Sequence, residues 1–206
     1  FAPGSETSLR MLGALVRDSV RVYFAQRAFK LGDADFPHGA FLVRVASNGE
    51  RVHDAVARAA RASGEHLFAL QTALVESGTD LGSNSVFAMR PPRVALLGGE
   101  PVNGTSFGFA WYAFEQRIGY PVTTVEAGFV AGTGLAEFNV LVIPSANGLQ
   151  AALGDDGVKR LQQWVRDGGT LITIEGATTW LASAQSGLSR LRVKGSGRDS
   201  GGSAPL

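Results

Sequence analysis

Apolar and polar positions follow different rhythms in the two halves of the chain. Beyond residue 89 they alternate in blocks. Arg93–Gly98 (RVALLG) and Val140–Pro144 (VLVIP) are continuous apolar runs, the pattern of strands buried on both faces of a parallel sheet. Val122–Val125 and Leu171–Ile174 are shorter strands. Ala110, Phe114 and Ile118 share one face of a helix over Ser106–Ile118. Val158, Leu161 and Val165 recur at helical spacing within Asp155–Asp167, which Gly168 and Gly169 close. A last helix spans Ala177–Ala184. This alternation predicts an α/β domain over 89–192, with a doubly wound, mostly parallel sheet.

Residues 1–88 give weaker signals. Phe1–Ser8 reads as loop. Val20–Ala25 and Ala40–Val45 are rich in β-formers, with a turn at Phe36-Pro37-His38-Gly39 between them. Ser47 stands three residues before Glu50, as in a helix capping box. Val52, Ala55, Val56, Ala59 and Ala60 then mark one helical face that ends at Gly64. His66–Ala73 predicts another strand, and the polar stretch Glu76–Ser85 a boundary. The result is a small ββαβ segment with too little core to stand alone, expected to pack on the main domain. Residues 193–206 form a Gly/Ser-rich tail, expected to be flexible. There is no internal repeat and no heptad.

Composition narrows the function classes. The chain has 206 residues, 45% hydrophobic and 18% charged, with a net charge of +1. That balance fits a globular fold and gives no electrostatic footprint for nucleic acid. No apolar run approaches the roughly 18 residues of a spanning helix. There is no cysteine, so disulfides, thiolate nucleophiles and cysteine-bound metals are excluded. The chain opens on Phe1 rather than Met, which reads as a segment of a longer protein.

Several motifs touch on chemistry. Gly99–Ser106 follows a strand and opens a helix as a phosphate-binding loop does, but Thr105 stands where that loop needs Lys, and Glu100 opposes phosphate. Gly104-Thr105-Ser106-Phe107-Gly108 matches the nucleophile-elbow pattern. It lies too far from its strand, and His38, His53 and His66 all precede it, so a helix N-cap is the simpler role for Ser106. Glu50 and His53 could share a metal, but no third ligand accompanies them, and none is assigned to this chain. Glu175 ends the last strand at the carboxyl edge, where such sheets bind ligands. It either meets a ligand or neighbouring domain, or caps the following helix. Gly98, Gly99, Ser145, Asn147 and Glu175 are the candidate ligand-edge residues, and no residue is assigned a catalytic role.

RVALLGG, VLVIPSANG and GGTLITIEGATTWLA, between Arg93 and Ala184, resemble the class I glutamine amidotransferases. The resemblance implies a flavodoxin-like sheet, and it places Glu175 where those enzymes carry their nucleophilic cysteine. The family's histidine has no counterpart after His66, so the likeness implies the fold without the activity. FPHGAFLVRVASN, TDLGSNSVFAMRPPRVALLGG and DGVKRLQQWVRDGGTLITIEGATTWLA resemble the region behind the catalytic domain of bacterial carboxypeptidase-A-like zinc peptidases. That likeness implies a non-catalytic accessory domain. Its partner would be an N-terminal catalytic domain of the same polypeptide, which would hold the zinc and handle peptide substrate outside the cytoplasm. The alternatives are a small-ligand or peptide-binding domain using the carboxyl edge, and a hydrolase acting through Ser106 or Glu175.

Overall fold

The computed structural model describes residues 1–132, 134–191 and 193. The chain divides into two compact units. The first is Phe1–Pro91 with Tyr112–Pro121; the second is Pro92–Trp111 with the chain from Val122 on. No helix among the described residues is long and apolar enough to cross a membrane. Apart from Val193, the tail lies outside the described residues.

The first unit opens on a helix whose first residues fall in the stretch Phe1–Ser8 read as loop. Helix α1 (Glu6–Arg17) is capped reciprocally: Ser5 Oγ accepts from the Ser8 N–H at 2.9 Å, and Ser8 Oγ from the Ser5 N–H at 3.2 Å. Serine replaces the usual Glu or Gln at the third helical position, so the cap has the composition of a turn. Met11 and Leu15 are wholly buried on its inner face. Gly13 is required there, because a Cβ would lie 2.9 Å from the Ile118 carbonyl oxygen.

Strand β1 (Val22–Ala25) is followed by the hairpin β2 (Phe29–Leu31) and β3 (Ala34–Phe36), then β4 (Phe41–Val43). Helices α2 (Val45–Asn48) and α3 (Val52–Ser63) come next, then β5 (Ser77–Gly78) and β6 (Val86–Ala88). β1 lies between β4 and β6, and β2 between β3 and β5, all antiparallel. The expected ββαβ segment is therefore two three-stranded sheets with an extra hairpin, turned at Gly32-Asp33 with Gly32 at φ 58°. β1 alternates as a strand must: Val22 joins a core with Met11, Leu15, Val52 and Ala59, while Tyr23 and Ala25 join a second with Phe29, Phe36 and Val86.

Three local expectations are corrected. Ser47 caps nothing: it lies inside α2, and its hydroxyl pairs with the Tyr23 phenol at 2.9 Å. The α3 N-cap is Arg51, without a side-chain bond, although Gly64 does end that helix in the left-handed conformation, φ 74°. Residues 66–73 form no strand, because no neighbouring strand pairs with them: Phe68 meets Phe36 edge-on at 5.1 Å, and Leu70 lies against the second core. The polar stretch Glu76–Ser85 contains β5 and a buried Leu81.

The second unit follows its pattern closely. It contains β7 (Val94–Leu97), α4 (Gly104–Tyr112), β8 (Val122–Val125), α5 (Ala127–Ala131), β9 (Val140–Ile143), α6 (Leu149–Arg166), β10 (Thr170–Thr173) and α7 (Gly176–Leu181). The helix expected over Ser106–Ile118 runs as α from Gly104 to Tyr112 and as π from Ala113 to Ile118, and its residues from Tyr112 on belong to the first unit. The α6 span includes a kink at Gly154, φ 65°, just before the expected start at Asp155. The sheet is all parallel, in the order β8-β7-β9-β10, and flanked by helices.

Ala95, Leu97, Leu141 and Ile143 share one face and pack with Val130, Leu149, Leu161 and Trp180 of α5, α6 and α7. Phe107 of α4 instead meets Gly98 beside Thr124, which points away from that core. Each buried leucine contributes roughly 1.5–3 kcal/mol relative to exposure.

Candidate functional site

The order of the parallel strands creates a switch point. The chain leaves β7 for β8 on one side, then returns past β7 to β9 on the other. Ligands of open α/β sheets bind at the carboxyl ends of strands at such a point. Three loops meet here, and hydrogen bonds tie them together.

The loop after β7 begins with buried Gly98, whose N–H donates to the Val125 carbonyl at 2.9 Å. A Cβ on Gly98 would meet the Phe107 ring at 2.9 Å and the Thr124 methyl at 3.0 Å. Gly99, at φ 69°, turns the chain beside Glu126. The loop is then tied across to the one after β9: Asn103 N–H donates to Ser145 O at 2.8 Å, and Asn147 N–H to Pro101 O at 3.4 Å. Asn103, not Ser106, caps α4, through an Oδ1 that accepts from the Ser106 N–H at 3.0 Å. Ser106 sits one turn in, and its Oγ accepts from the Ser145 N–H at 2.9 Å.

The turn from β10 into α7 completes the edge. The Gly176 N–H donates to Ser145 Oγ at 3.3 Å. A Cβ on Gly176 would stand 3.0 Å from the Ala146 carbonyl oxygen, which explains the glycine. Glu175 has φ 49° and ψ −115°. A residue with a Cβ adopts such a conformation at a cost on the order of 1–3 kcal/mol. Its carbonyl accepts from the Thr178 and Thr179 N–H groups at 2.8 and 3.2 Å, but its carboxylate makes no cap bond. The capping role considered for that side chain is absent, because the backbone carbonyl fills it. The carboxylate is exposed.

Of the five candidate residues, Ser145, Asn147 and Glu175 converge around Gly176. Gly98 and Gly99 instead turn toward Thr124 and Glu126 at the end of β8. Sequence reasoning missed Asn103 and Gly176. Asn three residues before the helical Ser106, and a Gly directly after the strand-end Glu175, were their signals. The loops carry the exposed carboxylates of Glu100, Glu126 and Glu175, and the second unit contains no histidine or cysteine. Such an edge can accept hydrogen bonds and attract cations, and it repels phosphate.

His53 Nε2 lies 4.0 Å from Glu50 Oε2, with the two side chains 64% and 93% exposed. Among the described residues no three His, Cys, Asp or Glu side chains are grouped to hold a metal.

The first unit contains a feature that no motif announced, a pocket of about 540 Å³ lined chiefly by aromatic and aliphatic side chains. Its signal in the sequence was a density of phenylalanines, at 29, 36, 41 and 68, without any periodic pattern.

No protein-family model, no curated protein and no solved structure matches the chain.

Proposed function

We propose that this chain is a non-catalytic accessory region of a zinc-carboxypeptidase-like protein. In this reading its second unit is a flavodoxin-like, glutamine-amidotransferase-like domain whose carboxyl edge has become a recognition surface. The observation that carries the proposal is the backbone of Glu175. Nucleophile elbows place the reacting residue on a sharp, strained strand-to-helix turn. Glu175 occupies such a turn, at φ 49° directly after β10, at the position that the amidotransferase resemblance assigns to the nucleophilic cysteine. Hydrolysis of glutamine through an acyl intermediate needs a nucleophile and a base. The unit offers a carboxylate and no imidazole, so the elbow geometry is kept while the chemistry is lost. The sheet order, with β7 between β8 and β9, supports the flavodoxin-like assignment. The peptidase parent rests on the sequence resemblance alone.

The test compares the 206-residue chain with the polypeptide extended upstream in its gene, each assayed for bound zinc and for release of C-terminal residues from peptides. The expected result is zinc and activity in the longer protein only. Stoichiometric zinc or peptide cleavage by the 206-residue chain would refute the reading. A second reading, recognition of a small ligand or peptide at the edge, is favoured by the exposed carboxylate of Glu175 beside Ser145 and Asn147. It predicts saturable binding of a basic peptide that Glu175→Gln weakens.

A further inference from the structure

The pocket of the first unit lies where the two cores of that unit meet. Met11, Phe41 and Val56 line it from the first, and Phe29 and Phe36 from the second. Its volume, about 540 Å³, is within the range of small-molecule sites. An apolar space of this kind gives its lining fewer dispersion partners than a packed core, and an apolar guest supplies them.

The chemistry of the lining selects the guest. His53 is the only ionisable side chain in it, and that imidazole is mostly exposed and faces Glu50 rather than the interior. The Phe1 nitrogen donates to the Phe41 carbonyl at 2.9 Å, and burial disfavours its charged form. Gln71 is the remaining polar side chain. No side chain inside compensates a buried charge, and an unpaired charge there would be strongly disfavoured. A neutral guest with at most one hydrogen-bonding group fits this lining.

Residues 67–71 form one wall of the pocket. Residues 66–71 belong to no helix or strand, and no hydrogen bond among the described residues ties them to the rest of the unit. Apolar contacts alone hold them, through Phe68 on Phe36 and Leu70 on the second core. A second, more open hollow lies against Leu67–Leu70 as well, lined by Leu31, Asp33 and Ala34. The strap therefore has space beside it, while Leu67 and Phe68 stay 38% and 55% exposed.

We propose that the first unit binds a neutral, largely apolar small molecule, such as a medium-chain aliphatic alcohol, in this pocket beneath the 66–71 strap. The test uses the full chain and Nile red as a neutral fluorescent probe, with 1-decanol and decanoate as competitors. The expected result is saturable one-to-one binding with a blue shift, displaced by 1-decanol and at least tenfold less well by decanoate. Val56→Trp, which fills the pocket, is expected to weaken the probe at least tenfold with unchanged circular dichroism. Should that variant fail to fold, Ala57→Cys provides the check. The chain has no other cysteine, so its single thiol in the pocket wall should react several-fold more slowly with 1-decanol bound. Non-saturable probe binding would overturn the proposal, as would binding indifferent to Val56→Trp in a folded protein, or a thiol not protected by 1-decanol. Equal competition by decanoate would overturn the choice of a neutral ligand.

Discussion

The two units solve the same packing problem by different means. The second buries four parallel strands beneath helices, and its loops are bonded to one another through Asn103, Ser106, Ser145 and Gly176. The first divides its apolar side chains between two small cores and leaves a space of about 540 Å³ beside them. One is over-determined at its edge and the other under-filled at its centre. Strain can therefore persist at Glu175, where neighbours fix the backbone, and room for a guest exists where packing is incomplete.

The largest expected effect separates a filled core from the loose strap. Leu141 is completely buried in β9, among residues of one continuous core. Leu141→Ala should cost about 2–5 kcal/mol, the transfer and cavity terms together. Leu67→Ala in the strap should change stability by less than about 0.5 kcal/mol, because that side chain is already 38% exposed. Urea unfolding is followed by tryptophan fluorescence for Leu141→Ala, since Trp111, Trp164 and Trp180 all belong to the second unit, and by tyrosine absorbance for Leu67→Ala, since Tyr23, Tyr112 and Tyr120 belong to the first. A comparable loss in both variants would erase the contrast.

A smaller effect probes close approach. Gly157 of α6 sits against α5, where a Cβ would meet the Ala131 methyl at 2.8 Å and its Cα at 3.0 Å. Gly157→Ala should be destabilising by about 1–3 kcal/mol through overpacking, despite its better helix propensity. A stabilised variant would mean that α5 and α6 can separate freely.

How legible each unit was follows from the same contrast. RVALLG and VLVIP announced β7 and β9 because a strand covered on both faces must be apolar throughout. The strands of the first unit have three or four residues at most, too short to set a period. There the turn chemistry of Gly32-Asp33, which sequence reasoning missed, was a signal for β2 and β3. Helix α1 was hidden by a serine-based cap, and residues 66–73 imitated a strand while serving as a strap. At the candidate edge, Ser145, Asn147 and Glu175 were readable as strand-end residues. The bonds that hold them were not, because Asn103 and Ser106 act across long sequence separations.

Those bonds give a third prediction, in two opposed parts. Ser106→Ala removes the acceptor of the Ser145 N–H and should cost about 1 kcal/mol. Glu175→Gly relieves the positive φ and should instead stabilise by up to about 1 kcal/mol, with Glu175→Ala giving no such gain because it retains the Cβ. Thermal unfolding of the three variants decides it. If Glu175→Gly is no more stable than Glu175→Ala, the elbow is unstrained and the main support for the proposed function falls.

The smallest effect is read in the first unit, which contains all three tyrosines, Tyr23, Tyr112 and Tyr120, so that phenolate absorbance reports it alone. Burial raises the Tyr120 pKa above the ordinary value. Its contribution is therefore intact below the unfolded value of about 10 and is lost as pH rises through the folded value. Tyr23 is displaced the other way, first by the Ser47 hydroxyl and then by Arg21 and Arg44. Its contribution is present above the unfolded value and lost as pH falls through the folded one. Tyr120→Phe should accordingly flatten the alkaline loss of stability, and Tyr23→Phe should steepen it. Denaturant midpoints between about pH 9 and 11 test both slopes around that reference value. Slopes that move together would show that the two phenols share one environment, against the separation of Tyr23 on the second core from the buried Tyr120 that follows the π-helix.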